Sequence, residues 1–182
     1  MFYPFEKDSP FSHCMGCNKY LLEQDVEYVI EKAIRQYPEF GTTDIIFEYA
    51  ICTECADKMK NALSKESLQS VQAYMMNKSR LFEQSQRLQA SNNLNPNDWI
   101  SQCIFTGQRI EEQTEFQIFA HCKGNQMFFS AMPYMISSQA MDEMAELLSP
   151  KTQDELNRFI DDNFGIPPEL KQLFKDNSVM LL

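Results

Sequence analysis

Two Cys-x-x-Cys pairs, Cys14-Met15-Gly16-Cys17 and Cys52-Thr53-Glu54-Cys55, constrain this chain more than any other feature. Two intervening residues let both thiols of a pair reach one ion from a single tight turn. Two such pairs supply the four donors of a closed tetrahedral site. The reading that follows is one structural zinc ion on Cys14, Cys17, Cys52 and Cys55. A saturated thiolate set leaves no position for a water to be activated, so no catalytic residues are assigned to it.

The surroundings of those cysteines argue for reduced thiolates. Met1-Phe2-Tyr3-Pro4-Phe5-Glu6-Lys7-Asp8 shows no basic segment followed by an apolar run, and no stretch approaches the roughly 20 apolar residues of a membrane helix. The chain is therefore expected in the cytoplasm, where paired cysteines hold metal more often than they form a disulfide framework. Its net charge is −10, and four thiolates outweigh one divalent cation, making the total more negative still. Neither half is basic: residues 1–90 carry 10 cationic against 13 acidic side chains, and residues 91–182 carry 6 against 13. Such a surface repels phosphate backbones and lacks the lysine and arginine footprint of a nucleic-acid-binding finger. The expected partner is a protein.

The polar, asparagine-rich run from Gln86 to Asp98, interrupted by Pro96, marks a linker or helix end and divides the chain into residues 1–90 and 91–182. Before it, Tyr20 to Leu22 and Glu27 to Ile30 flank the polar Glu23-Gln24-Asp25 and read as a hairpin. Asp44 to Ile51 reads as a buried strand. From Thr53 onward, Ala56, Met59, Ala62 and Leu63 fall at helical spacing, which puts Cys52 and Cys55 at a helix start. Ser64 then caps a longer helix with Leu68, Val71, Met75 and Phe82 along one face.

A knuckle, a hairpin, a strand and a second pair opening a helix together resemble a treble-clef zinc finger. Locally, Tyr49-Ala50-Ile51-Cys52-Thr53-Glu54-Cys55 running into a helix is similar to the zinc-binding domain of the ClpX chaperone family. The likeness covers residues 12–63, with a longer gap between Cys17 and Cys52 than that family has. It implies the ligand pattern, and by analogy a role in dimerisation and adaptor binding. The segment resembles neither rubredoxin's glycine-marked knuckles nor a Cys-Gly-Pro-Cys redox centre, the alternatives that use the same residue types.

A quieter echo follows the linker. Cys14-x-x-Cys17 before Glu23-Gln24 returns as Cys103-Ile104-Phe105-Thr106 before Glu112-Gln113, 89 residues on. Tyr49 to Cys55 aligns with Phe129 to Met135, and Leu63-Ser64 with Leu148-Ser149. The chain is thus expected to be α+β: two tandem treble-clef-like lobes of hairpin, strand and helix, the first zinc-bound and the second degenerate and metal-free. On this alignment Thr106, Met132 and Met135 replace three ligands, and thioether or hydroxyl is a poor substitute for thiolate. Phe116, Ile118, Phe119, Met127, Phe128 and Phe129 would supply a core instead.

The remaining reactive residues nominate no catalytic set, and a thiol enzyme drawing on Cys103 or Cys122 stands only as a third class. His13 neighbours Cys14, but four cysteines already satisfy zinc. A His-metal nuclease needs clustered histidines, and only His13 and His121 exist. On a strand His121 and Cys122 face opposite ways, which leaves Cys103 and Cys122 as isolated thiols. Met75, Met76, Met132, Met135, Met141 and Met144 could line an adaptable partner groove or simply fill a core. Pro168-Glu169-Leu170 opens a short terminal helix whose Leu170, Leu173 and Phe174 need a docking surface. The functional expectation is a non-catalytic, zinc-stapled protein-interaction module or adaptor. The alternative is a thiol-based redox or stress switch at the two cysteine pairs.

Overall fold

The computed structural model describes residues 2–164, so the expected terminal helix at Pro168 to Phe174 lies outside the described residues. Within them, six helices accompany a five-stranded antiparallel sheet. The strands are β1 (Glu27–Tyr37), β2 (Thr42–Cys52), β3 (Glu115–Lys123), β4 (Gln126–Met127) and β5 (Tyr134–Ser137). The sheet runs β2-β1-β3-β4, with β5 also pairing β3. The helices are α1 (Thr53–Ala62), α2 (Lys65–Lys78), α3 (Leu81–Ala90), α4 (Pro96–Trp99), α5 (Ser138–Ala145) and α6 (Pro150–Phe164). None is long and apolar enough to cross a membrane.

The hairpin differs from the expected one. Glu27–Tyr37 pairs along Thr42–Cys52 through a turn containing Pro38 and Gly41, whereas Tyr20 makes an isolated bridge to His13. Two eleven-residue strands close a long ladder for the entropy of one short turn, and three residues at Tyr20 to Leu22 cannot compete with that. The long helix expected after Ser64 is in fact two. Arg80 N–H donates to Ile104 O (2.7 Å) instead of continuing α2, so α3 starts afresh at Leu81 and Phe82 is 71% exposed, away from the Leu68–Val71–Met75 face.

β1 and β3 join the two halves of the chain. Their register runs unbroken from Glu27↔Lys123 to Arg35↔Glu115. A single apolar cluster spans the joint, combining Tyr28, Ile30 and Phe47 with Phe116, Ile118, Met135 and Ile136. Phe128, offered by the sequence as core, is instead exposed beside the His121 ring, because it follows the two-residue β4 at the sheet margin.

The starts of α2 and α6 are tied to each other. Ser64 N–H donates to Thr152 Oγ1 (3.0 Å) and Ser149 N–H donates to Ser67 Oγ (2.8 Å). Each cap also serves its own helix, Ser64 Oγ accepting from Ser67 N–H and Ser149 Oγ accepting from Thr152 N–H. The two cap hydroxyls lie 2.8 Å apart. This reciprocal arrangement satisfies buried polar groups that neither helix could satisfy alone.

Candidate metal centre

Cys14 and Cys17 sit on a tight turn that the backbone builds by itself. Cys14 N–H donates to Lys19 O, Asn18 N–H to Cys14 O and Leu21 N–H to Ser12 O. Asn18 closes the turn in the left-handed region at φ 59°, which asparagine tolerates better than most residues. Met15 N–H then reaches Ala50 O (2.9 Å), docking the turn on the end of β2. Cys52 ends that strand and is also the N-cap of α1, which places Cys55 in the first helical turn.

All four Sγ atoms lie within 4.8 Å of one another, and those of Cys17 and Cys52 are 3.8 Å apart. The edge of a tetrahedron with metal–sulfur bonds of about 2.3 Å is about 3.8 Å, so the thiols stand at coordination spacing rather than disulfide spacing. The donor set is soft and purely sulfur, which suits zinc or iron and excludes hard cations. Among the described residues it is the one cluster of three or more His, Cys, Asp or Glu side chains able to hold an ion.

Sequence reasoning identified the four thiols but not what crowds and polarises them. Gly16 leaves room for Cys55: a Cβ there would come within 3.3 Å of its Sγ. Burial pushes the Cys14 thiol up, but amide groups of Cys52, Cys17 and Gly16 outweigh it and bring the group down to about 7. The Cys52 amide stands 3.3 Å from Cys14 Sγ. Cys55 is pushed up by burial and by the neighbouring thiols, so one member of the set ionises readily while another resists it. A cation among them would remove that conflict. Lys19 and Glu54 form an ion pair (2.9 Å) from the turn to α1 at the exposed side of the cluster. Cys17 is exposed while the other three thiols are buried.

The same backbone bonds recur further along the chain. Cys103 N–H donates to Gln108 O, Gly107 N–H to Cys103 O, Ile110 N–H to Ser101 O and Ile104 N–H to Met135 O. Gly107 takes the place of Asn18, at φ 71°. The bridge Gln102↔Arg109 matches His13↔Tyr20. Ser137 N–H meets Cys103 Sγ at 3.3 Å, as Cys52 N–H meets Cys14 Sγ.

This bonding corrects the alignment made from sequence. Ser137 meets Cys103 as Cys52 meets Cys14, five residues beyond Met132, and Ala140 follows Ser137 at the spacing of Cys55 after Cys52. The signal was present in Tyr134-Met135-Ile136-Ser137, which keeps the tyrosine and isoleucine of Tyr49-Ala50-Ile51-Cys52. Around Cys103 the matching positions Thr106, Ser137 and Ala140 carry two hydroxyls and a methyl. Burial raises the Cys103 thiol, yet hydrogen bonds from Ser137 and Thr106 prevail and hold it below its ordinary value.

The other candidate residues stand apart from the thiol cluster. His13 is exposed, hydrogen-bonded to Ser12 Oγ and edge-on to Tyr20. His121 faces Glu27 at 3.4 Å, and the adjacent Cys122 is buried and pushed up to about 11 by that burial. Met135, Met141 and Met144 are core, whereas Met75 and Met76 line a groove described below. No family model, curated protein or solved structure matches the chain.

Proposed function

We propose that the chain is a zinc-stapled, non-catalytic interaction module of the cytoplasm, built from two tandem treble-clef-like lobes of which the first holds the ion and the second does without it. The observation that carries this reading is the convergence of four thiols within 4.8 Å on a turn and a helix start. The recurring turn bonds support the duplication, and the hydroxyl and methyl groups around Cys103 support a lobe without metal. A partner surface is supported by an apolar groove of about 300 Å³ between α2 and α6. Leu63, Leu68, Val71, Met75, Leu148 and Leu156 line it.

Two measurements test the reading together. Elemental analysis of protein purified without added metal should give about one zinc per chain, lost in Cys52→Ser. Crosslinking in cells followed by mass spectrometry should recover a protein partner from the native chain that is lost in Val71→Glu, while zinc content stays intact. Iron in place of zinc, or an unchanged crosslinking pattern in Val71→Glu, would count against it.

The exposure of Cys17, 3.8 Å from Cys52 Sγ, favours a second reading as a redox switch. A peroxide would take two electrons from that pair, forming the disulfide and water as the metal leaves. Zinc release at mild peroxide concentrations, reversed by a dithiol, would distinguish it.

A further inference from the structure

Beneath α1 lies a cavity of about 200 Å³ whose floor is the sheet. Val29, Glu31, Tyr49, Ile51 and Phe119 line it from the strands, and Thr53, Ala56 and Met59 from the helix, with exposed Asp57 and Lys60 at the rim. Glu31 is the unusual member. It is 2% exposed in mid-strand, directly opposite Tyr49 on one side and Phe119 on the other. The Tyr49 hydroxyl donates to Glu31 Oε2, while Oε1 has no hydrogen-bond partner among the described residues. A buried, half-satisfied carboxyl is costly to retain unless something completes it.

We propose that this cavity is a binding site for a compact primary amine with an apolar body of about one ring, its ammonium group drawing Glu31 Oε1, which the free protein shields from solvent, into an ion pair. A cavity of about 150 Å³ accepts benzene, so the volume suits a ring with a one-carbon amine arm. Among the lining groups, the carboxylate is the one buried acceptor that can meet an ammonium with full charge. The Tyr49 hydroxyl already stabilises the carboxylate through its other oxygen. The aromatic residues on both neighbouring strands also suit a cation. At the rim, Asp57 and Lys60 offset each other, leaving Glu31 to set the preference. The proposal does not depend on which metal the cysteines hold, although Cys52 and Cys55 fix the start of the helix that roofs the cavity.

Proton linkage gives the proposal its sign. Burial holds Glu31 well above the usual carboxylate range, and its titratable neighbours are Tyr49 on β2, Tyr134 on β5, and Asp57 and Lys60 on α1. Where the carboxyl still holds its proton, seating the ammonium must release it. Amine affinity should rise with pH through the range in which Glu31 titrates, above that of an ordinary carboxyl, because less proton has to be expelled.

The test titrates benzylamine, benzyl alcohol and benzamide into the full, metal-loaded chain by calorimetry, in two buffers of different protonation enthalpy. Benzylamine is expected to bind at least ~10-fold more tightly than either neutral analogue, with net proton release, and to lose at least that factor in Glu31→Gln. Met59→Trp fills the cavity without touching Glu31 and should abolish binding of all three. Equal binding of benzyl alcohol or benzamide, undiminished benzylamine binding in Glu31→Gln, or no saturable heat with any probe would each overturn the proposal.

Discussion

The turns at Cys14 and Cys103 share their backbone bonds and differ in what those bonds enclose. At Cys14 the enclosure is four thiols, three buried and one exposed, with the thiol of Cys55 resisting ionisation. At Cys103 it is one thiol that accepts from Ser137 N–H and Oγ, both at 3.3 Å, beneath fully buried Ile104, Met135 and Ile136. The difference teaches that this backbone shape uses one buried acceptor for the incoming amide and does not need four thiols. Where the other three thiols are missing, apolar burial and hydroxyl donors take over the stabilisation.

The largest effect expected from that contrast is at the first turn. Cys14→Ser should abolish metal binding, whose worth in small zinc domains is on the order of 10 kcal/mol. Hydrogen exchange should then lose protection around Cys14 to Cys55 while the amides of Cys103 to Ile110 keep theirs. Equal loss at both turns would erase the distinction.

An intermediate effect is expected from the second core. Met135→Ala should cost about 2–5 kcal/mol in denaturant unfolding, because Met135 is fully buried and lies on the strand that docks the Cys103 turn. Metal content should remain unchanged. A loss of metal in this variant would mean that the two turns are coupled more tightly than their separate stabilisation implies.

Cys103→Ser should show the smallest effect, about 1 kcal/mol, since a hydroxyl can accept from Ser137 as the sulfur does. The same chemical change 89 residues apart thus separates a metal ligand from a hydrogen-bond acceptor. A thermal shift as large as that of Cys14→Ser would show that the second thiol carries a role beyond accepting hydrogen bonds.

The parts of this architecture that were legible in the sequence are local. Cys-x-x-Cys spacing announces a chelate, Ile51 to Cys55 announces a strand passing into a helix, and Ser64 announces a cap; each signal sits within a few residues. What was not legible depends on distant partners. Tyr20 to Leu22 looked like a strand until β1 found an eleven-residue partner in β2. Arg80 gave no warning that Ile104, far along the chain, would take its amide and break the helix. The shift from Met132 to Ser137 as the residue that meets Cys103 followed from one hydrogen bond, which outweighs a gapped alignment. Glu31 fell just past the strand expected at Glu27 to Ile30, and its side chain is buried because α1 covers the face of the sheet onto which it projects.

The reciprocal caps of α2 and α6 carry a consequence for how the chain can be divided. A cut in the loop after Ala90 would leave each fragment with an unpaired sheet edge, on β1 or on β3, and with a helix start whose outside donor has lost its acceptor. Such fragments should act as obligate subunits, each prone to aggregate alone and soluble only when the two are co-expressed. Cut there, the protein would become a heterodimer whose interface evolution has already written into one chain.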